Sequence, residues 1–154
     1  MSTSHQNQKL SLYNQLLKLL QKEIEEGEME IASIKDSRNN DTKSSAGDKF
    51  ETGRSMMQME MDKLESQLDK RNRMKNDLEG IKVHQITKSI ALGSLVFTDQ
   101  ENYFLTIAFG KVITPEITAY SISLASPVGK ALLGKKANDE ITVNGRKINI
   151  VDFV

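Results

Sequence analysis

The sequence predicts an α+β protein in which an antiparallel coiled-coil hairpin of two long helices precedes a small antiparallel β-sheet with one short helix. Two long segments have apolar residues every three or four positions, and a polar, glycine-containing stretch at 38–51 separates them. After about residue 90 charged residues become fewer and β-branched residues alternate with polar ones. We therefore predict a hairpin domain over 1–80, with its tip near 38–51, and a sheet domain over 81–154.

The first predicted helix runs from about residue 10 to 37, after eight polar residues that we expect to be frayed. Gly27 falls where its apolar stripe expects a larger residue, and a glycine inside a helix costs about 1 kcal/mol relative to alanine. Gly27 either lets the partner helix approach closely or is a weak spot. The opposite face carries Lys22 and five glutamates, which is typical of a solvated face. The apolar stripe consists of Leu12, Leu16, Leu20, Ile24, Ile31 and Ile34.

The second predicted helix starts near residue 46, where Ser45-Ala-Gly-Asp48 fits a capping box, and closes at Glu79-Gly80. Met56 and Met59 fall off its apolar stripe, so they face either solvent or a partner. Arg71 interrupts the stripe, with its stem packed and its head in water. The stripe, with a period of about 3.5 residues, consists of Phe50, Met57, Met61, Leu64, Leu68, Arg71, Met74 and Leu78.

In the remaining chain, the alternation of β-branched and polar residues predicts strands near 91–98, 102–109 and 117–124, and a helix is predicted over 126–134. Ser126 suits the N-cap, Pro127 the first helical position and Gly134 the C-terminal cap. Strands at 141–143 and 147–154 flank Asn144-Gly145, the usual sequence of a type I′ turn. Gly129 to Lys135 nearly matches a phosphate-binding loop, but Lys136 follows where serine or threonine is needed, so a capped helix explains the segment better.

The composition argues against several classes of protein. The chain has no cysteine, and its two histidines, His5 and His84, lie far apart, which argues against a zinc site. Its formal net charge is zero, so there is no electrostatic basis for general nucleic-acid binding. No apolar run approaches the roughly 20 residues that cross a membrane, and no signal-peptide core is present. We expect a cytoplasmic, soluble monomer with no membrane contact.

Asp41, Asp48 and Glu51 lie in the polar stretch at the free end of the predicted hairpin. In one interpretation they serve turn formation and helix capping. In the other, a carboxylate at the end of a rod coordinates a cation in the active centre of another molecule. Mg²⁺ suits such a shared site, because it is bound through one or two carboxylates and keeps several waters. The residue pattern alone leaves both interpretations open.

The segment Ala125-Ser-Pro-Val-Gly-Lys-Ala-Leu-Leu-Gly-Lys-Lys-Ala-Asn-Asp-Glu-Ile-Thr-Val143 resembles the C-terminal domain of the bacterial Gre transcript-cleavage factors. There a Ser-Pro-x-x-x-Ala-Leu-[Leu/Ile]-Gly-Lys helix precedes Gly-Asp and a short strand. Asn138 takes the place of that glycine, and asparagine also tolerates left-handed geometry. The order of a long helical hairpin and a small FKBP-like sheet domain is similar too, so the resemblance covers nearly the whole chain.

The resemblance implies that the partner is RNA polymerase, with the hairpin in its secondary channel and the FKBP-like domain at the channel rim. Nascent RNA or DNA would be contacted only indirectly. Two tip acids of Gre-type proteins, in a pattern like Asp-Leu-Ser-Glu-Asn-Ala, help hold a Mg²⁺ with which the polymerase cuts backtracked RNA. Here the run is Asp41-Thr-Lys-Ser-Ser-Ala46, which matches Asp41 to the first acid. Ser44 stands in the second acid's place, and Lys43 adds an opposing charge.

The resemblance therefore predicts a protein with no active site and no cofactor of its own, which at most donates a tip carboxylate to the polymerase. Asp41 is the predicted ligand of the shared Mg²⁺. The tip candidates are Asp41, Asp48 and Glu51, and the predicted partner-binding residues are Lys43, Ser44, Ser126, Pro127, Lys130 and Lys135.

Three functions stay open at this point. The leading one is a Gre-like elongation factor that stimulates cleavage of backtracked RNA. The second is a secondary-channel regulator that does not stimulate cleavage and competes with cleavage factors, which Ser44 favours. The third is a coiled-coil adaptor or FKBP-like isomerase unrelated to transcription, although the sheet domain has few aromatic residues to line a proline pocket.

Overall fold

The computed structural model describes the backbone of residues 2–42 and 47–154 and the side chains of residues 3–37 and 53–154. Within these residues two long helices are followed by a six-stranded sheet and one short helix, which confirms the predicted α+β class. The elements are α1 (Ser2–Thr42), α2 (Gly47–Glu79), β1 (Leu95–Thr98), β2 (Asn102–Leu105), β3 (Gly110–Ile113), β4 (Thr118–Ile122), α3 (Pro127–Leu132), β5 (Glu140–Val143) and β6 (Arg146–Phe153).

The chain forms two compact units. One contains Leu19–Asn76, and the other contains Met1–Lys18 together with Asp77–Val154. The early turns of α1 thus belong to the same unit as the sheet. No helix in the described part of the chain is long and apolar enough to cross a membrane.

In the unit Leu19–Asn76 the two helices run antiparallel, as predicted. Lys75 Nζ donates a hydrogen bond to Gln21 Oε1 at 2.8 Å. Farther along α1, a Cβ on Gly27 would lie 3.4 Å from Leu68 Cδ1. The residue numbers of the contacts decrease along α2 as they increase along α1. The two arms are therefore antiparallel. Gly27 therefore faces the partner helix, as the first of its two interpretations proposed.

Four members of the predicted apolar stripes that the structure describes within this unit lie in the seam between these arms. Leu20, Ile24, Ile31 and Met61 are buried. Arg71 is half-buried, and its Nε lies 2.6 Å from Glu23 Oε2, so its head pairs with a carboxylate of α1 rather than standing in water alone. Because both side chains are more than a third exposed, this ion pair contributes no more than about 1 kcal/mol.

The sheet has the strand order β3-β4-β2-β1-β6-β5. Four of its pairs are antiparallel, whereas β2 and β4 run parallel. The sheet is therefore mixed rather than purely antiparallel. The parallel pair arises because the chain leaves β2 at Leu105, forms β3, and returns through β4 into the place beside β2. The predicted strand over 102–109 was too long, and β3 was missed.

The two faces of the sheet have different covers. On one face Leu132 of α3 packs in a core cluster with Val96, Tyr103, Leu105 and other buried residues of the strands. On the other face Leu95 lies opposite Phe104, and both are buried. The N-terminal turns of α1 lie against this second face.

Three contacts define the position of those turns. The ring of His5 stacks on Phe97 with centroids 4.2 Å apart, and His5 Nδ1 lies 3.2 Å from Asp152 Oδ2. Ser11 Oγ donates a hydrogen bond to Glu116 Oε2 at 2.9 Å. The expectation that residues 1–8 are frayed was therefore wrong for the described residues among them, because α1 begins at Ser2 and His5 packs on the sheet.

Gly27→Ala should stabilise the protein. A Cβ at residue 27 reaches ordinary contact distance from Leu68, and alanine gains about 1 kcal/mol of helix propensity over glycine. Gly53→Ala on α2 is the matched control, since its Cβ would meet nothing within 4 Å. Both variants should unfold at higher temperature than wild type in a thermal melt. A Gly27→Ala melt below wild type, with Gly53→Ala above it, would contradict the packing at Gly27.

Lys9→Met should stabilise the protein at neutral pH. Lys9 is 2% exposed, and burial lowers the pKa of its amine from 10.5 to about 8. The unfolded chain keeps its proton up to the higher pKa, so wild-type stability should rise between pH 8 and 10.5 and the advantage of the variant should shrink there. Urea unfolding at both ends of this range measures the change. Lys18→Met, at an exposed position of the same helix, is the control, and an advantage for Lys9→Met that does not change with pH would contradict the buried charge.

Candidate partner-binding site

The residues of α3 determine where this short helix starts and ends. Ser126 Oγ accepts a hydrogen bond from the Gly129 N–H at 3.0 Å and donates one to the Ser123 carbonyl at 2.7 Å. Pro127 occupies the first helical position, and the helix ends before Gly134, whose φ is +81°. These three features confirm the caps that the sequence predicted.

Gly129 has a packing role that the sequence did not reveal. A Cβ at this residue would clash with the backbone carbonyl of Ser123 and would also crowd Ser126 Oγ. The glycine is therefore needed for the close approach of α3 to the preceding chain. Since Gly129 lies inside a capped helix, the interpretation of 129–135 as a phosphate-binding loop has no structural support.

The predicted partner-binding residues around α3 differ in what they offer. Pro127, Lys130 and Lys135 are exposed, so their side chains are accessible to a partner. Ser126 is half-buried, and both of its hydrogen bonds lie within the chain. Ser126 therefore has a structural role in capping α3, whereas the proline and the two lysines remain predicted contacts.

The backbone beside Lys135 is held in place by the segment before β1. The Ile90 N–H donates a hydrogen bond to the Lys135 carbonyl, and the Gly134 N–H donates one to the Ile90 carbonyl, each at 2.8 Å. Leu133 is half exposed between these bonds and α3. The end of α3 thus presents an apolar side chain and a lysine from a fixed backbone.

Beside α3 lies a pocket of about 220 Å³ that sequence reasoning missed. The Tyr103 hydroxyl donates a hydrogen bond to Glu101 Oε2 at 3.1 Å, and burial followed by the charge of Glu101 raises the pKa of this tyrosine. Val128 of α3 lines this pocket, and no sequence signal joins it to residues of the β5–β6 hairpin. The pocket is lined by Glu101, Tyr103, Val128, Val143, Asn144, Arg146 and Ile148.

The helical arms carry another concave surface, a groove of about 400 Å³ whose lining includes Gly27. Glu23, Glu26 and Glu30 line it from α1, and Arg71 lines it from α2. Most of the acidic run of α1 is exposed, in agreement with a solvated face. Glu23 departs from this pattern through its contact with Arg71.

The predicted tip residues are placed only in part. The backbone of Asp41 lies in the last turn of α1, and those of Asp48 and Glu51 lie in the first two turns of α2. Their side chains, and all of Lys43 and Ser44, lie outside the described residues. The assignment of Asp41 as a ligand of a shared Mg²⁺ stays a prediction.

One family model matches the part of the chain that carries the resemblance seen in the sequence. Residues 95–153, the stretch that contains all six strands and α3, match the family described as "Transcription elongation factor, GreA/GreB, C-term". A solved structure titled "Structure of the transcription factor Gfh1." is 22% identical and covers 93% of each chain, with a TM-score of 0.36. No curated protein matches the chain.

Gly129→Ala should destabilise the sheet domain by about 1–3 kcal/mol, because the new methyl group must displace α3 from Ser123. Ser126→Ala should cost about 0.5–2 kcal/mol through loss of the N-cap. Chemical denaturation measures both losses. Lys130→Ala, exposed on the same helix, is the control and should stay close to wild type. A Gly129→Ala variant as stable as wild type would contradict the close approach.

Proposed function

We propose that this protein is a Gre-like transcription factor that binds RNA polymerase and inserts its helical hairpin into the secondary channel. The observation that carries the proposal is the match of residues 95–153 to the C-terminal domain of the Gre elongation factors. The exposed Pro127, Lys130 and Lys135 on and after α3 are the proposed contacts at the channel rim.

The antiparallel pairing of α1 and α2 supports the proposed role of the hairpin. Its seam is apolar, while the outer face of α1 is charged and exposed. Such a rod is stabilised by its own seam, so its end can enter a narrow passage without a further folding partner. The protein would act in the cytoplasm, because bacterial RNA polymerase acts there. We propose that it acts as a monomer.

The proposed chemistry belongs to the polymerase. Asp41, which matches the first acid of the Gre tip pattern, would contribute a carboxylate to the catalytic Mg²⁺ of the polymerase, and no metal or cofactor is assigned to this chain alone. A second carboxylate would hold that ion more firmly. Ser44 provides none, so cleavage of backtracked RNA should be slower than with a tip that carries both acids.

Stalled, backtracked elongation complexes provide the test. Wild-type protein should co-purify with core polymerase and shorten the transcript. Asp41→Ala should lower the cleavage rate by at least about tenfold without loss of binding, since it removes a group that holds the ion. Asp36→Ala, on the same helix and exposed, is the charge-matched control. Ser44→Glu should raise the rate by restoring the second acid.

The natural serine at position 44, in the place of the second acid, also favours the second candidate function. In that function the protein is a channel regulator that does not promote cleavage. Competition with a two-acid cleavage factor distinguishes the two, because a regulator lowers total cleavage and a weak cleavage factor adds to it. Binding to polymerase without transcript shortening would reject the first function and keep the second. Failure to co-purify with core polymerase would reject both and favour an adaptor or isomerase.

A further inference from the structure

The sulfur atoms of this chain are concentrated in the helical arms. The sequence has no cysteine and seven methionines, and apart from Met1 every methionine lies between residues 29 and 74. The strands and α3 contain none. Thioether chemistry outside Met1 is therefore confined to α1 and α2.

One segment of α2 contains an outer and an inner pair of methionines. Met56 and Met59 are 67% and 72% exposed, whereas Met61 is 4% exposed and Met57 is half-buried. Residues three or four apart share a helix face, so Met56 lies beside Met59, and Met57 lies beside Met61. The inner pair belongs to the seam with α1. The outer pair faces away from it.

The other two methionines of the arms differ from the outer pair. Met74 is half-buried, and its Sδ accepts a hydrogen bond from Arg71 Nη1 at 3.4 Å, which engages a lone pair of the sulfur. Met29 is 72% exposed on α1, where it has no methionine within a helical turn. Met56 and Met59 are thus two neighbouring, accessible thioethers on one face.

We propose that Met56 and Met59 form a peroxide-reactive modification site on the outer face of α2, converted to methionine sulfoxides while the two arms stay paired. The thioether sulfur attacks one oxygen of a hydroperoxide, the O–O bond breaks, and a sulfoxide forms. The other oxygen takes up the proton and leaves as water or an alcohol. Sulfur loses two electrons and the peroxide gains them. Methionine sulfoxide reductases reverse the change.

The position of the pair determines the consequence of this reaction. Because the outer pair faces solvent, its new polar S–O groups are hydrated and leave the apolar seam intact. The reaction removes an exposed apolar surface of two side chains from the arm. A sulfoxide at Met61 would instead place a polar group in the seam and weaken the pairing. The outer pair is therefore accessible to peroxide, and its oxidation leaves the pairing of the arms intact. Neither statement holds for the inner pair.

Mass spectrometric peptide mapping after exposure of the folded, full-length protein to hydrogen peroxide tests the proposal. Met56 and Met59, together with the exposed Met29, should each gain one oxygen at least about ten times faster than Met61, which reacts only through local opening. Circular dichroism should show that helix content and the unfolding temperature of the oxidised protein stay close to those of untreated protein. Incubation with methionine sulfoxide reductases should remove the added oxygen.

Two variants make the test specific. Met56→Leu/Met59→Leu keeps the apolar surface and helix propensity but cannot form sulfoxides at these positions, so oxygen uptake should fall to that of Met1, Met29 and the slow inner residues. Met61→Leu is the matched control and should leave the fast uptake unchanged. Oxidation of Met61 as fast as Met59, or a large drop in unfolding temperature once the outer pair has reacted, would overturn the proposal. These readouts need no polymerase, so they are independent of the proposed function.

Discussion

The sheet must be covered on two faces, and this constraint governs the unit that contains it. α3 is only six residues long and covers one face. Leu95 and Phe104 on the other face would each lose about 1.5–3 kcal/mol of burial energy if left in water. The first turns of α1 supply the cover, with His5 between Phe97 and Asp152. The helix that leads into the hairpin is therefore also part of the core of the sheet domain.

The elements predicted well from sequence are those in which the type of a residue determines its own backbone conformation. Asn144 and Gly145 have φ values of +52° and +77°, as a type I′ turn requires, and Asn138 adopts the left-handed φ of +73° that its place in the Gre pattern calls for. The failures involve partners distant in sequence. His5 lies in a polar segment, and its contacts with the distant Phe97 and Asp152 help to explain why α1 starts so early. The parallel β2–β4 pair likewise has no local signature.

The candidate site divides along the same line. Ser126, Pro127, Lys130 and Lys135 were assigned to the candidate site through the Gre resemblance, and their role as contacts stays a prediction. The sequence could not identify the pocket beside α3, whose lining residues come from four different elements. It also could not show that Ser126 uses its hydroxyl within the chain. Helical spacing, by contrast, did separate the inner methionines from Met56 and Met59, since the phase of a helix is a local property.

The division of the chain has a consequence for the order of folding. Lys18 and Asp77 belong to one unit but are separated by all of Leu19–Asn76. Closing so long a disordered loop would cost entropy before any contact could repay it. The pairing of Gln21 with Lys75 joins the two ends of that insertion, so zipping of the arms removes most of the cost. During synthesis, the contact between His5 and Asp152 cannot form until Asp152 has been translated. That side of the sheet domain is therefore completed late.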